Sequence, residues 1–145
     1  MRIEPATAAM KDEWLAMRLL LWPDEAANLA GDMDRMLADP DSANFIARDT
    51  DGAAIGFIEA TVRHDYVNGC ETSPVAFVEG LFVAEAARRR GVGRALVACV
   101  AEWAKGRGLT ELASDALLEN TRSHAMHTAI GFEETERVVY FRKTI

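Results

Sequence analysis

Residues 78–108, VEGLFVAEAARRRGVGRALVACVAEWAKGRG, join a strand-forming run to a long apolar helix through an arginine-glycine loop. The run VAFVEGLFV is rich in β-branched and aromatic residues and predicts a strand over 75–83. The apolar spacing that follows Gly91 predicts a helix over 92–106. A strand feeding such a helix through a short loop requires a layered fold, with the helix packed back onto the sheet. Gly80 interrupts the strand and predicts a bulge or a close backbone approach. Upstream, MRIEPAT suggests a first strand, and Trp14, Met17, Arg18 and Leu21 keep helical spacing over 8–21. Pro23 opens a second helix that stops before DPDS, and NFIARDTDGAAIGFIEATVRH reads as a hairpin turning at Asp51-Gly52. Downstream come a strand in TELASDA, a helix from Asn120 to about Ile130, and closing strands in GFEETERVVYFRKTI. The sum is one α+β domain over 1–145, with about four helices on a mixed, mostly antiparallel twisted sheet of six to seven strands.

Charge and cysteine usage narrow the partners. A net charge of -7 argues against nucleic acid, whose phosphates demand basic surface, and suits a cationic ligand. Cys70 and Cys99 make no metal-binding spacing and read as reduced thiols of a cytoplasmic protein, with no metal expected. The first residues lack the apolar core of a secretion signal. No apolar run reaches the roughly 20 residues that span a bilayer, so no membrane association is expected.

RRRGVGR is open to several readings. A solvated basic turn is the plainest. A dinucleotide fingerprint lacks its third glycine, and a phosphate loop of the Gly-Lys-Ser/Thr type lacks its lysine. A glycine loop at a helix start presents free N–H groups and a positive dipole end, and neighbouring arginines add charge. That chemistry fits a pyrophosphate, in a nucleotide or in coenzyme A.

Arg88, Arg89, Arg90, Gly91, Val92 and Gly93, between that strand and that helix, resemble the Arg/Gln-x-x-Gly-x-Gly/Ala loop of the GNAT N-acetyltransferases. NTRSHAMHTAIGF resembles the family's second signature, in which Asn120 opens a helix and Gly131-Phe132 closes it. The resemblance implies acetyl-coenzyme A as co-substrate and a sheet splayed at a central bulge. Residues 88–93 would bind pyrophosphate, and the edge formed by Leu81, Phe82 and Val83 would pair with the pantetheine arm. The Val83 N–H would polarise the thioester, and Asn120 would touch the arm.

Over nearly the whole chain the strings RHDYVNGC, SPV, ASD, ENT and GFEETERV resemble the short aminoglycoside 6'-N-acetyltransferases. The implied reaction is direct attack of the 6'-amine in a ternary complex, and its implied consequence is aminoglycoside resistance. Trp22, Tyr66, Glu79, Asp115 and Glu136 would line the acceptor site, carboxylates for ammonium groups and aromatic faces for sugar rings. Each has a plainer reading: Trp22 as core, Tyr66 as exposed loop, Asp115 as a turn cap and Glu136 as a solvent-facing strand residue. Glu79 is the most informative, because an acid within AFVEGLF needs a partner or suffers desolvation.

Attack requires an unprotonated amine, yet carboxylates favour the ammonium form. One of them must therefore take a proton, Glu79 or Asp115, and the residues do not choose between the two. His127 stands seven residues after Asn120, where the family often has a tyrosine that protonates the departing thiolate. An imidazole can serve there or simply pack; Tyr140 is a weaker substitute. The subgroup often carries a histidine soon after Trp-Pro, and WPDEAANLAG has none. The resemblance also implies a homodimer that pairs or exchanges the C-terminal strands. Two other functions fit the same core motifs: acetylation of a polyamine, protein amine or other small amine, or coenzyme A sensing without catalysis.

Overall fold

A computed structural model describes all 145 residues. Strand β1 (Arg2–Pro5) leads through a 3-10 turn into helix α1 (Lys11–Leu21), and a second such turn at Pro23–Glu25 precedes α2 (Ala26–Ala38). The hairpin β2 (Ser42–Arg48) and β3 (Ala54–Arg63) is followed by β4 (Val75–Val83), α3 (Val92–Gly106), β5 (Leu112–Ala113) and α4 (Thr121–Ala129). The strands form one sheet in the order β1-β2-β3-β4-β5, antiparallel except for the parallel β4–β5 pair that α3 bridges.

The sheet therefore has five strands, against the six to seven expected. Residues 133–145 form no strand, and TELASDA contributes only two paired residues. The physical reason is pairing: a strand persists through its ladder, and the terminal segment pairs with no edge of its own sheet. Its Val139, Tyr140 and Phe141 are exposed.

Alternation along the strands assigns the two faces. Ala47, Ile58, Ala60 and Val78 meet Val92, Leu96 and Val100 of α3. Ile46 and Phe57, one residue out of phase, meet Trp14, Met17 and Met33 of α1 and α2. Each large aliphatic side chain sealed in this way contributes about 1.5–3 kcal/mol relative to exposure.

Glu59 lies two residues after Phe57 and so faces the same helical layer. It is buried there, with Arg18 Nε 2.6 Å and Trp14 Nε1 3.0 Å from its Oε1. Desolvation pushes this carboxyl upward, and the adjacent Arg18 opposes it. Removing one member strands a buried charge. We expect Glu59→Ala to lose about 3 kcal/mol in urea unfolding, and an Arg18→Met, Glu59→Leu double variant to recover most of it. Equal losses in both would mean that the pair itself carries the stability.

Candidate acceptor and donor sites

The register between β3 and β4 slips once, with Glu59 opposite Gly80 and Ala60 opposite Val78. Glu79 is the extra residue, so the bulge re-aims a carboxylate that ordinary pairing would hold in the ladder. Phe77 and Thr61 are opposite each other before the slip, and Phe82 and Phe57 after it. Gly80 then allows a close approach: a Cβ there would overlap the Trp22 ring, with Cζ2 only 2.8 Å away. The Trp22 indole sits over this glycine with its centroid 6.1 Å from that of Phe57 and the Arg18 guanidinium 5.4 Å away.

Beside Trp22 lies a cavity of about 360 Å³ bounded by α1, α2 and strands β2 to β4. Its wall carries the carboxylates of Glu25, Asp32, Asp39, Glu59 and Glu79 against the guanidiniums of Arg18 and Arg35. Such a lining favours a cation. Both Glu79 oxygens are engaged: Oε1 accepts from Thr61 Oγ1 at 2.7 Å and Arg63 Nε at 2.9 Å, and Oε2 from Arg63 Nη2 at 2.8 Å.

The other expected acceptor residues lie outside that wall. Asp115 is exposed just beyond β5, accepts no hydrogen bond, and acts electrostatically on Arg63. Tyr66 is exposed in the β3–β4 loop, a segment fastened where β5 begins because Glu111 accepts from the Glu71 and Thr72 amides at 3.0 and 2.6 Å. Glu136 is exposed in the terminal segment, without a side-chain partner.

On the other side of the bulge, β4 pairs with β5 only through Ala76 and Phe77. From Val78 to Val83 the β5-facing edge of β4 is open, and this stretch includes Leu81, Phe82 and Val83. The arginine loop closes its far end. Arg88 Nε donates to the Val83 carbonyl at 3.0 Å, and Arg90 grips Asp49 of the β2–β3 turn at 2.9 and 3.1 Å. That guanidinium holds the Asp49 carboxyl down to about 2. Arg89 has φ +63° and Gly91 φ +80°, a left-handed backbone at two positions just before α3. Val92 is buried in the core, and Gly93 leaves its flank clear beside Val83.

Asn120 caps α4, its Oδ1 accepting from the Ser123 amide at 3.1 Å. His127 Nδ1 is 2.7 Å from the Ser123 carbonyl, which only accepts, so this nitrogen carries a proton. His127 Nε2 is 2.7 Å from Ser114 Oγ, and the ring meets Phe132 edge-on at 5.2 Å.

Four site features escaped the sequence reading: Arg63, Thr61, Ser114 and the Arg18–Glu59 pair. Arg18 left a trace, standing among Trp14, Met17 and Leu21 on an apolar face. Such an arginine requires a buried acid, and Glu59 within GFIEATV was available. Arg63 left none, because its contact with Glu79 depends on the register slip.

The family model described as Acetyltransferase (GNAT) family matches residues 8–132. An aminoglycoside N(6')-acetyltransferase type 1 of Serratia marcescens is 51% identical over 135 residues, 92% of either chain. The crystal structure of the aminoglycoside antibiotic 6'-N-acetyltransferase AAC(6')-Ih from Acinetobacter baumannii aligns with a TM-score of 0.95 at 46% identity, covering 99% of this chain and 98% of that one. AAC(6')-Iy in complex with a bisubstrate analogue, CoA-S-monomethyl-acetylneamine, aligns at 0.94 and 44% identity over 99% of this chain and 98% of its own.

Proposed function

The chain belongs to the GNAT acetyltransferase family, and from that premise we propose that it transfers the acetyl group of acetyl-coenzyme A to the 6'-amino group of aminoglycosides. One observation carries the reading. The bulge at Glu79 puts a carboxylate on the acidic cavity, and the same strand has an open edge toward β5 from Val78 to Val83. An acceptor cation and an extended acyl donor thus have complementary surfaces on one strand.

The residues fit the donor. The left-handed turn at 89–91 and the unpaired edge at 81–83 offer backbone N–H groups to a diphosphate and to amides. By this reading Arg88, Arg89, Arg90, Gly91, Val92 and Gly93 hold the pyrophosphate, Leu81, Phe82 and Val83 the arm, and Asn120 its flank. Acetyl-coenzyme A, when bound, supplies an activated acyl carbon and a thiolate leaving group. The chain supplies orientation and proton transfer. Arg88 fixes the peptide that follows Val83 through its carbonyl, which steadies the strand from which the Val83 N–H acts as oxyanion donor.

Trp22 and Glu79, on the cavity wall, orient the acceptor, and Tyr66, Asp115 and Glu136 meet it where it extends beyond that wall. With both Glu79 oxygens already accepting hydrogen bonds, Asp115 is the freer carboxylate, and it takes the proton lost by the amine. In the neutral His127 ring Nε2 accepts from the Ser114 hydroxyl; in the imidazolium Nε2–H donates to Ser114 Oγ, which can pass its own proton to the departing thiolate.

The apolar terminal segment around Val139, Tyr140 and Phe141, which lacks a strand partner in its own chain, supports a homodimer that pairs it with a second copy. Two free cysteines suit a reducing cytoplasm, and no helix is long and apolar enough to cross a membrane. Acetylation removes one cationic amine from the drug, so expression in a susceptible bacterium should raise the inhibitory concentration of kanamycin.

The testing experiment is thiol release from acetyl-coenzyme A with kanamycin, spermidine and a lysine peptide. Turnover with kanamycin far above the other two supports the reading. A preference for either of the others assigns a different amine, and coenzyme binding without release on any acceptor points to a sensor.

A further inference from the structure

Arg63 lies just behind the wall of the acidic cavity, bound to the Glu79 carboxylate that lines it. It ends β3, on the face shared by Phe57, Glu59 and Thr61. Its guanidinium forks onto both oxygens of Glu79 and lies 3.4 Å from the Phe77 ring centroid. The groups facing it come from four elements: Thr61 and Phe77 on β3 and β4, Glu79 at the bulge, Asp115 beyond β5 and Tyr140 of the terminal segment. His64, next in the chain, is turned instead to Asp41 at 2.8 Å. Arg63 is therefore bound to one of the two carboxylates offered above as alternative bases and feels the charge of the other.

The acidic wall creates a difficulty for the reaction. Carboxylates gather a polycation, but each also stabilises the ammonium form, whose nitrogen has no lone pair for attack. A fixed positive charge bound to one of them has the opposite effect on the amine. Arginine suits this role because it keeps its charge at every working pH and its planar fork locks onto a carboxylate. The stack on Phe77 holds that plane in position.

Resting on the acetyl-transfer reading above, the geometry points to Arg63 as a positioning residue for the acceptor amine: it stays clamped on Glu79 during turnover, and its charge keeps the bound amine unprotonated. Glu79 then contributes shape and hydrogen bonding more than net charge, and Asp115 is left to receive the proton.

The test is the pH dependence of kcat with kanamycin and acetyl-coenzyme A both saturating, for the natural chain, Arg63→Met and Arg63→Lys. Under saturation the ascending limb reports groups of the bound complex. We expect the limb of Arg63→Met to move alkaline by about one pH unit, a rate deficit on the order of tenfold on that limb that closes at high pH. Arg63→Lys should keep the limb of the natural chain even where its maximal rate is lower. The side chain is 42% exposed and its ion pair adds little to stability, so the variants should fold, as thermal unfolding will record. Arg63→Gln is a second neutral variant, read in the same way if Arg63→Met does not fold. Coincident limbs for the natural and neutral chains, or a Lys variant shifted like the neutral one, would overturn the inference. Tighter kanamycin binding with an unmoved limb would overturn it too, since Arg63 would then be a cation that substrate displaces. A natural chain inactive on kanamycin removes the underlying reading; an active one with coincident limbs removes only this inference.

Discussion

Asp115→Asn should lower kcat by at least about a hundredfold while leaving coenzyme A affinity within about threefold, the range expected when a positioned proton acceptor is lost. The expectation follows from what surrounds each acid. Glu79 accepts three hydrogen bonds and faces a guanidinium through both oxygens, so neither oxygen is free to meet the amine. Asp115 is exposed and accepts none. Asparagine keeps the size and the hydrogen bonding of the side chain and removes only the basic oxygen, so a selective fall in kcat would mark proton transfer. A loss confined to the KM for kanamycin would instead make Asp115 an ammonium anchor and return the proton to Glu79.

Gly80→Val should act on the acceptor side through packing. Any Cβ at this position overlaps the Trp22 indole, whose ring lies across the backbone at the bulge. Either the indole leaves or the strand shifts, and overpacking of this kind costs about 1–3 kcal/mol. Since Trp22 forms a wall of the acidic cavity, we expect the KM for aminoglycoside to rise at least about tenfold with the coenzyme A Kd little changed. Combining Gly80→Val with Trp22→Ala should add little beyond Trp22→Ala alone, because contacting residues are not additive. Full additivity would show that Gly80 acts on the strand and not through the indole.

The legible parts of this chain were those governed by local pattern. β4 and α3 fall where the β-branched run and the apolar spacing place them, at Val75–Val83 and Val92–Gly106. Gly80 predicted a close approach, and the partner proved to be Trp22, fifty-eight residues earlier. The closing strands failed for a reason no local pattern contains: ERVVYFRKTI has strand composition, but a strand also needs an edge to join. The arginine loop was legible as the connection between β4 and α3 but not in the aim of its side chains. Asp49, which takes Arg90, lies in a distant hairpin turn. Arg63 was hidden for the same reason, since its partner is decided by one extra residue in the facing strand.

The most direct measurement compares kanamycin with an aminoglycoside bearing a hydroxyl in place of the 6'-amine, each incubated with the protein and acetyl-coenzyme A, with the product located by NMR. The account predicts a single acetyl on the 6'-nitrogen of kanamycin and no transfer to the hydroxyl analogue. Acetylation of any other amine, or equal turnover of the two compounds, would contradict it.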